Sequence, residues 1–412
     1  MKPILLVNAC LIGDNNGTGN TLASVFASVP NNLIFELCID FLRTPDNCSN
    51  RFFVDKKYSA ARYFLANRRK NSQQSEAAVK HRANISGARA SGIKGIIHEV
   101  FRGCADILPI KISSSMDKFI TESKAEYVYT CGSSITSLRT ARKISAKYNL
   151  PLVLHIMDNW EETLYTSSIL SKPFSKILKY ELKKANKYSS KSLAISKSLC
   201  DKYSDKYKTK YYPLMNTVDI IKDKPLCFDR DKLVFLYAGS LSINRFASLS
   251  EIAEGLHKAL GNNYLFKLFV PSSQNTEDMR AYFNGYNVEF SDYIPRDELY
   301  KEYSDSDVLV IAESFDKNFC DFTKYSLSTK LPEYMAAGKP ILAYLSEQLY
   351  SHKYLSESGA AEVAADKEQL MNKILRLSEF THRVNLAEKG IAFVKNHNSR
   401  EYCSKVLSEI FK

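Results

Sequence analysis

The sequence lacks long apolar runs. Its 412 residues contain no uninterrupted apolar stretch of the roughly 18 residues that a membrane-spanning helix requires. The first apolar segment, PILLVNACLI, is too short to span a membrane and has no signal-peptide cleavage pattern. We therefore predict a protein that is neither exported by that route nor anchored by a helix.

The cysteines also lack any pattern typical of a metal site or a disulfide framework. All nine are dispersed, without a Cys-x-x-Cys pair or a histidine-rich partner segment. This distribution predicts no bound metal and favours a reducing cytoplasm. No RNP, zinc-finger or helix-turn-helix pattern is found either, so the sequence predicts no nucleic-acid partner.

Positive charge is in excess and unevenly spread. The formal net charge is +12, and residues 51–102 contain twelve Lys or Arg against three Asp or Glu. Phe52, Phe53, Tyr63 and Phe64 are interleaved with these basic residues. A solvated helical face would account for this composition. The alternative prediction is a segment that docks to an anionic membrane, which would place the protein at the inner face of the plasma membrane.

Apolar runs of strand length alternate with segments of helical periodicity throughout the chain. Runs such as LPLVLHIM and DVLVIA are continuous, as in parallel strands covered on both faces, and predict an α/β fold with doubly wound sheets. The pattern restarts near KLVFLYAG. The sequence therefore predicts two Rossmann-like domains, residues 1–212 and 213–397, with the final helix, 398–412, free to pack back on the first.

Candidate ligand-binding residues follow several predicted strands. In open α/β sheets ligands bind beyond the carboxyl ends of the strands, so two facing sheets would place a cleft between the domains. After the first strand, GDNNGTGNTLAS contains Gly17 and Gly19, which would allow a ligand to approach the backbone, and a helix predicted after Asn20 offers free N–H groups. A simple tight turn is the alternative interpretation.

The segment LHIMDNW places His155 and Asp158 at the end of another buried strand. Histidine is suited to proton transfer near neutral pH, and strand ends are where substrate chemistry is usually placed. The alternative is a histidine that caps a loop, followed by a tryptophan, Trp160, that fills the core. The combination favours the functional interpretation.

Two basic residues of the second domain are candidates for binding phosphate. Arg245 follows the strand end at Gly239 and Ser240, and arginine holds phosphate oxygens through paired donors. Lys330 lies in the first turn of a short helix, because Pro332 is tolerated only there. The helix dipole disfavours a cation in this turn, whereas a phosphate would be bound by both the cation and the free N–H groups. Solvated surface side chains are the alternative for both.

One acidic pair resembles a metal-binding motif, but its position argues against that role. Asp305 and Asp307 form an Asp-x-Asp motif, which binds the metal of a nucleotide sugar in some transferases. Here the pair lies where a helix gives way to a buried strand, so we predict no metal site.

Together these motifs resemble those of GT-B glycosyltransferases, in particular the group 1 or GT4-like family of bacterial surface-polysaccharide enzymes. The stretch SLSTKLPEYMAAGKP is similar to the family signature S-K-x-x-E-Y-M-A-x-G-K-P, and HIMDNW is similar to its H-x-M-D-D-W loop. Further similar segments are GTGNTL, PLMNTVD, YAGSL with the following NR, and YIPRDELYKEYSDSDVLV. The resemblance extends over nearly the whole chain.

The resemblance implies a cytoplasmic, metal-independent and retaining enzyme without a cofactor. It would transfer a sugar from a nucleotide diphosphate sugar to a glycan or lipid-linked acceptor in the synthesis of capsule, O-antigen or exopolysaccharide. Glu333 would bind the ribose, Lys330 and Arg245 would neutralise the diphosphate, His155 would contact the reacting sugar or acceptor, and Asp158 would lie near the acceptor hydroxyl. The other implied donor-binding residues are Thr18, Gly19, Asn20, Gly239, Ser240, Ser328 and Thr329.

The chain departs from the family pattern in two places. Tyr325 stands where many relatives carry a second glutamate, eight residues before Glu333, and Asn159 replaces the second acid of the H-x-M-D-D-W loop. The identity of the sugar is therefore left open. A sugar-nucleotide epimerase, a phosphorylase and a non-catalytic partner subunit of the same fold are the alternatives.

Overall fold

The computed structural model describes residues 1–14, 16–41, 43–54, 93–166, 168–189, 191–218 and 221–412. Most of the basic segment 51–102, with Tyr63 and Phe64, lies outside the described residues, so its predicted docking to a membrane is not addressed by the fold. Of the described residues, those up to Thr217 and Arg400–Lys412 form one compact unit, and Val218–Ser399 form another.

The first unit is built on a parallel sheet. Its strands, in the described residues, are β1 (Ile4–Asn8), β2 (Ile34–Cys38), β3 (Arg51–Phe53), β4 (Tyr127–Thr130), β5 (Leu152–Ile156), β6 (Lys191–Ala194) and β7 (Lys210–Pro213). They are arranged in the order β3-β2-β1-β4-β5-β6-β7, and every neighbouring pair is parallel. The described helices are α1 (Gly17–Phe26), α2 (Ile93–Ile107), α3 (Ser114–Glu122), α4 (Ile135–Tyr148), α5 (Trp160–Thr163), α6 (Lys172–Asn186) and α7 (Lys197–Tyr207).

The core of the first unit joins the sheet to α1 and to the end of the chain. Leu22 of α1, Tyr129 of β4 and Val153 of β5 lie in one buried cluster. Cys403 and Leu407 of the C-terminal helix, Arg400–Ile410, complete this cluster. The C-terminal helix is therefore part of the first unit's core.

The second unit repeats the architecture. Its strands are β8 (Leu233–Ala238), β9 (Tyr264–Val270), β10 (Val288–Asp292), β11 (Val308–Ala312), β12 (Ile341–Tyr344) and β13 (Ala361–Ala364), in the parallel order β10-β9-β8-β11-β12-β13. Its described helices are α8 (Arg245–Leu260), α9 (Glu277–Ala281), α10 (Arg296–Asp305), α11 (Lys317–Thr323), α12 (Lys330–Ala336), α13 (Tyr350–Ser358), α14 (Lys367–Ser378) and α15 (Phe380–His397). The predicted α/β fold with two parallel, Rossmann-like sheets is confirmed.

The strand order locates the regions where ligands bind in such sheets. It reverses between β1 and β4 in the first unit and between β8 and β11 in the second. Loops that follow these strands lie at the topological switch points. The loops of interest are therefore those after β1, β8 and β11.

Asp307 is buried and joins neighbouring segments of the second unit. Its side chain is fully buried between α10 and β11, and it accepts hydrogen bonds from Arg230 Nε and from the Val234 N–H, both at 2.7 Å. In the part of the chain that the structure describes, no group of three or more His, Cys, Asp or Glu side chains is placed to hold a metal ion. None of the described helices combines the length and apolarity needed to cross a membrane.

Candidate functional site

The loop after β8 is shaped by a close contact at Gly239. A Cβ atom at this position would lie 2.5 Å from the Tyr237 hydroxyl oxygen, so a larger residue would not fit. The Tyr237 hydroxyl donates to the Ser240 carbonyl oxygen at 2.8 Å. The Gly239 N–H, predicted to face a phosphate, instead donates to the Phe269 carbonyl oxygen at 2.9 Å.

Gln274 fixes the same loop from outside. Its side-chain oxygen accepts the Leu241 N–H at 2.7 Å, and its side-chain nitrogen lies 2.8 Å from Ser242 Oγ and 3.1 Å from Ser240 Oγ. Sequence reasoning missed Gln274, because it belongs to a short turn 34 residues further along the chain. The loop is therefore held in one conformation by side chains of its own unit.

Arg245 is the first residue of α8 and is held by a carboxylate. Its Nε and Nη2 atoms donate to Glu313 at 3.0 and 2.9 Å. Burial lowers the pKa of Arg245, but the Glu313 carboxylate more than offsets this, so the pKa stays above its ordinary value. Ile243 and Asn244, just before it, have φ values of 56° and 62°, which is a strained conformation for a β-branched residue.

Lys330 begins α12, as the sequence predicted, and Pro332 is buried in the first turn. Burial lowers the pKa of Lys330, and repulsion by Arg245 lowers it further, while Glu333 and Glu313 act in the opposite direction. Among the described residues, no hydrogen bond or ion pair engages the Lys330 ammonium group. The structure thus brings Lys330 and Arg245 close enough for two cations to repel each other.

The residues before Lys330 form a turn without a strong cap. Thr329 occupies the N-cap position, but its side chain accepts no hydrogen bond from the helix. Ser328 Oγ accepts a long hydrogen bond, 3.4 Å, from the Lys330 N–H. The predicted binding of phosphate by N–H groups near Ser328 and Thr329 stays a prediction.

Glu333 lies one turn further along α12 and borders a cavity. Its Oε1 accepts a hydrogen bond from Arg296 Nη2 at 2.7 Å. The cavity, about 310 Å³ in volume, lies between α10, α12 and the start of the second unit; its lining includes Val218, Lys222, Arg296, Tyr300, Glu333 and Ala337. Burial and the nearby Glu333 carboxylate raise the pKa of Tyr300 to about 12, so this phenol stays neutral at physiological pH.

In the first unit, α1 begins earlier than predicted. The helix starts at Gly17, not after Asn20, because Asn16 provides the N-cap and its side chain accepts the Gly19 N–H at 2.9 Å. In the described contacts, the N–H groups of Gly17 and Thr18 donate to no acceptor. The first turn of α1 therefore presents free donors beside Thr18 and the exposed Asn20.

Close packing requires a glycine at position 19. A Cβ atom at this position would lie 2.4 Å from the Asp14 backbone oxygen. The Asp14 carboxylate in turn accepts hydrogen bonds from the Leu11 N–H at 2.9 Å and from Arg43 Nη1 at 2.8 Å. The glycine therefore allows α1 to pack against the loop that follows β1.

His155 lies inside the first unit's core rather than on its surface. The ring is fully buried at the end of β5. Its Nε2 atom lies 2.9 Å from the Leu214 carbonyl oxygen, and its Nδ1 atom lies 2.6 Å from the Tyr129 hydroxyl. Contact with a reacting sugar stays a prediction, and it would require the ring to give up one of these partners.

Asp158, in the loop after β5, is more exposed than His155. Asp158 is half-buried, and one of its carboxylate oxygens accepts the Asn159 N–H at 2.7 Å. Asn159 itself is buried and donates to Glu162 at 2.7 Å. Trp160 packs on the first unit's core. The structure leaves the predicted role of Asp158 near an acceptor hydroxyl untested.

Two parallel Rossmann-like sheets, each with its own helices, are the architecture of the GT-B class, and solved structures of that kind confirm the predicted fold. Trehalose 6-phosphate synthase from Burkholderia multivorans matches with a TM-score of 0.58 and 10% identity over 100% of this chain and 96% of that one. WaaG, a glycosyltransferase involved in lipopolysaccharide biosynthesis, matches with a TM-score of 0.54 and 13% identity over 99% of each chain.

TarM from S. aureus, crystallised with UDP, Fondaparinux and alpha-GlcNAc-glycerol, matches with a TM-score of 0.52 and 16% identity. That match covers 69% of this chain and 55% of TarM, so the chain spans about half the length of that structure. No protein-family model and no curated protein sequence matches this chain. The chain has the GT-B fold found in glycosyltransferases, and at these identities the likeness concerns the fold alone.

Proposed function

We propose that this chain is a metal-independent, retaining glycosyltransferase. It would transfer a sugar from a nucleotide diphosphate sugar to a glycan or lipid-linked glycan in bacterial surface-polysaccharide synthesis. One observation carries this proposal. In the second unit the partly buried Lys330 ammonium group is repelled by Arg245 and, within the described chain, is bound to no anion. A diphosphate would supply the negative charge that Lys330 lacks, and Arg245, already paired with Glu313, would add a second cation beside it.

The two cations would act most strongly on the transition state. As the bond between the anomeric carbon and the phosphate oxygen breaks, its electron pair moves to the diphosphate. The acceptor hydroxyl bonds to the anomeric carbon, and its proton passes to an oxygen of the departing diphosphate. Lys330 and Arg245 would stabilise the growing charge on the leaving group. Because Glu313 accepts from Nε and Nη2 of Arg245, the Nη1 edge is the one available to phosphate.

Glu333 and the adjoining cavity would receive the nucleoside. A carboxylate can accept hydrogen bonds from both ribose hydroxyls. The cavity volume of about 310 Å³ lies at the lower end of the range typical of small-molecule sites. Arg296 holds Glu333 at 2.7 Å and would fix the orientation of its carboxylate toward the ribose.

The first unit contributes further proposed binding residues. Thr18 and Asn20 lie on the first turn of α1, whose free N–H groups and helix dipole favour an anion, so we retain this turn and Gly19 as a proposed phosphate site. Asp158 remains the proposed neighbour of the acceptor hydroxyl. His155 is retained only on the condition that substrate binding frees its ring.

Titration calorimetry with UDP, GDP and the corresponding free nucleosides tests the donor site. Lys330→Ala should weaken binding of the diphosphate about tenfold to a hundredfold, as expected when a charged hydrogen bond is lost, and should leave nucleoside binding unchanged. Glu333→Ala should weaken both. Lys232→Ala, at an exposed lysine before the amino end of β8, is the control and should change neither. Unchanged diphosphate affinity in both site variants would contradict the proposed donor site.

A turnover assay distinguishes the proposed glycosyltransferase from an epimerase and from a non-catalytic subunit. A panel of UDP- and GDP-sugars is incubated with the protein in EDTA, with and without acceptor glycans. Release of nucleotide diphosphate under these conditions supports a metal-independent transferase. A changed sugar on an intact nucleotide would indicate an epimerase. Tight binding without turnover would favour a non-catalytic subunit, the alternative that Tyr325 keeps open.

A further inference from the structure

One side of α6 is a continuous row of lysines. Lys172, Lys176, Lys179 and Lys183 are exposed, and Lys187 extends the row past the helix end. Their spacing of three or four residues places them on one side of the helix. The opposite side is buried against the first unit through Phe174, Leu178, Leu182 and Ala185. We call the five exposed lysines the lysine surface.

This charge is not neutralised within the described part of the protein. The only acidic residue of α6, Glu181, is buried and accepts hydrogen bonds from Arg139 and Arg142 at 3.1 and 3.2 Å. Across the described residues, no ion pair engages any member of the lysine surface. Like charges three or four positions apart on a helix repel each other, so an external anion would relieve this repulsion.

Two aliphatic side chains stand at the N-terminal end of the lysine surface. Ile169 and Leu170 are 77% and 66% exposed, more than any other large apolar side chain that the structure describes. Ser168 caps their turn by accepting the Ser171 N–H at 3.3 Å, and Ser171 Oγ donates to Glu99 of α2. Both side chains are therefore held outward by a fixed turn.

An aromatic side chain lies on the same side of the helix. Tyr180 is 54% exposed, and its position between Lys176 and Lys183 places it within the lysine surface. The Lys184 ammonium group lies 4.3 Å from the centre of its ring. Tyrosine is enriched where a protein meets the headgroup region of a bilayer.

We propose that the lysine surface, with Ile169 and Leu170, docks to an anionic phospholipid bilayer. The helix α6 lies along the membrane, the lysines bind lipid phosphates, and the aliphatic pair enters the acyl boundary. Nucleic acid fits less well, because two exposed aliphatic side chains gain nothing from a phosphate backbone. The inference is independent of the proposed function, and it concerns a surface other than the basic segment 51–102.

Vesicle co-sedimentation of the full chain, without any sugar nucleotide, tests this inference. Vesicles of phosphatidylcholine alone are compared with vesicles containing phosphatidylglycerol in equal part. We expect binding only to the anionic vesicles, with affinity that falls as salt rises. The triple variant Lys176→Gln, Lys179→Gln, Lys183→Gln should lower the partition coefficient on the order of a hundredfold, because each lysine near the surface contributes about fivefold.

Matched controls distinguish an effect of the lysine surface from an effect of the net charge of the protein. The triple variant Lys118→Gln, Lys232→Gln, Lys405→Gln removes the same charge from exposed lysines elsewhere and should bind anionic vesicles nearly as well as the unchanged chain. The pair Ile169→Ser, Leu170→Ser should lose about tenfold or more, since burial of each side chain contributes to membrane affinity. Melting temperatures of all variants verify that they are folded.

Insertion is measured directly with Leu170→Trp. With Trp160→Phe as the background, so that the introduced tryptophan alone emits, its emission should shift to shorter wavelength on addition of anionic vesicles. Tyr282→Trp in the same background, at an exposed site of the second unit, should not respond. Equal loss of binding in both lysine triples, or no effect of the aliphatic pair, would overturn the inference. Binding to a short DNA duplex through the same lysines, without binding to vesicles, would overturn it as well.

Discussion

Acid should destabilise the first unit through His155. The Leu214 carbonyl oxygen can only accept, so Nε2, 2.9 Å away, carries the proton, and the Tyr129 hydroxyl must donate to Nδ1 across 2.6 Å. The neutral ring is thereby satisfied at both nitrogens. Burial lowers the pKa of His155 from 6.5 to about 4, against a smaller opposing effect of the bond to Leu214.

The size and sign of the effect follow from these two pKa values. Between pH 6.5 and about 4, the unfolded chain binds a proton that the folded chain excludes. The free energy of unfolding therefore falls as the pH falls through this window. The two pKa values differ by about 2.5, and each whole number of that difference corresponds to about 1.4 kcal/mol, so the loss is about 3.5 kcal/mol.

The assay uses the chain's only tryptophan. Trp160 packs against the core that contains Tyr129, so its fluorescence during urea unfolding reports on the first unit. His155→Asn should lower the free energy of unfolding at neutral pH by about 2–4 kcal/mol, because the shorter amide cannot bond to both partners of the ring. It should also remove about 3.5 kcal/mol of the loss that the unchanged chain shows on acidification.

A second histidine provides the control. Burial also lowers the pKa of His352, but this residue lies in the second unit and is only half-buried. His352→Asn should leave the Trp160 transition and its pH dependence unchanged. If His155→Asn lost as much stability on acidification as the unchanged chain, the explanation from the neutral buried ring would be refuted.

Two further substitutions test contacts of the second unit by scanning calorimetry. Gly239→Ala should destabilise the unit by about 1–3 kcal/mol, since the new Cβ atom would lie 2.5 Å from the Tyr237 hydroxyl oxygen. The Cβ atom would also lie 2.7 Å from Cζ of the Tyr237 ring, so Gly239→Ala should cost less in a Tyr237→Leu background, which lacks both atoms. Equal costs in the two backgrounds would identify another cause. Asp307→Ala should cost about 1–3 kcal/mol, because the Val234 N–H loses its acceptor, whereas Arg230, 36% exposed, can turn to solvent. Asp305→Ala, at an exposed site, should cost little, and equal losses would contradict a structural role for Asp307.

Continuous apolar runs were enough to predict most strands of both sheets, including the edge strands β10 and β13 of the second, but not β2, β3 and β7 of the first. The run of β2 is interrupted by the buried Glu36. β3 has three residues, all half-buried, and β7 consists of KYYP, which ends in a proline. Edge strands are short and need no continuous apolar run, so their sequences resemble loops. The sequence also misplaced the start of α1. Glycines at 17 and 19 suggest a loop, and only the cap bond from Asn16 shows that the helix has already begun.

The partners of the predicted site residues could not be found from local pattern. Arg245 and Glu313 are 68 positions apart, and Arg296 and Glu333 are 37 apart, so each pair forms only when the sheet is assembled. One signal was present, since Glu313 directly follows β11 and the carboxyl ends of strands are where functional residues gather. Arg296, at the start of α10, carried no comparable signal.

The charges around Lys330 imply that donor binding takes up protons. Arg245 is paired with Glu313 at 2.9 Å, and Arg296 is paired with Glu333 at 2.7 Å. Lys330 is then the residue whose charge is not compensated, and burial together with Arg245 lowers its pKa. A bound diphosphate adds negative charge beside the ammonium group and so raises that pKa again.

Affinity for a nucleotide diphosphate should therefore fall as the pH rises above the pKa of Lys330 in the free protein, because binding then requires a proton from solvent. Calorimetric titration of UDP at alkaline pH in two buffers of different ionisation enthalpy measures this uptake. Lys330→Gln should abolish it, whereas Lys232→Gln should not. Identical enthalpies in the two buffers for the unchanged chain would mean that the Lys330 ammonium group is already fully charged before the donor arrives, and would contradict proton uptake on binding.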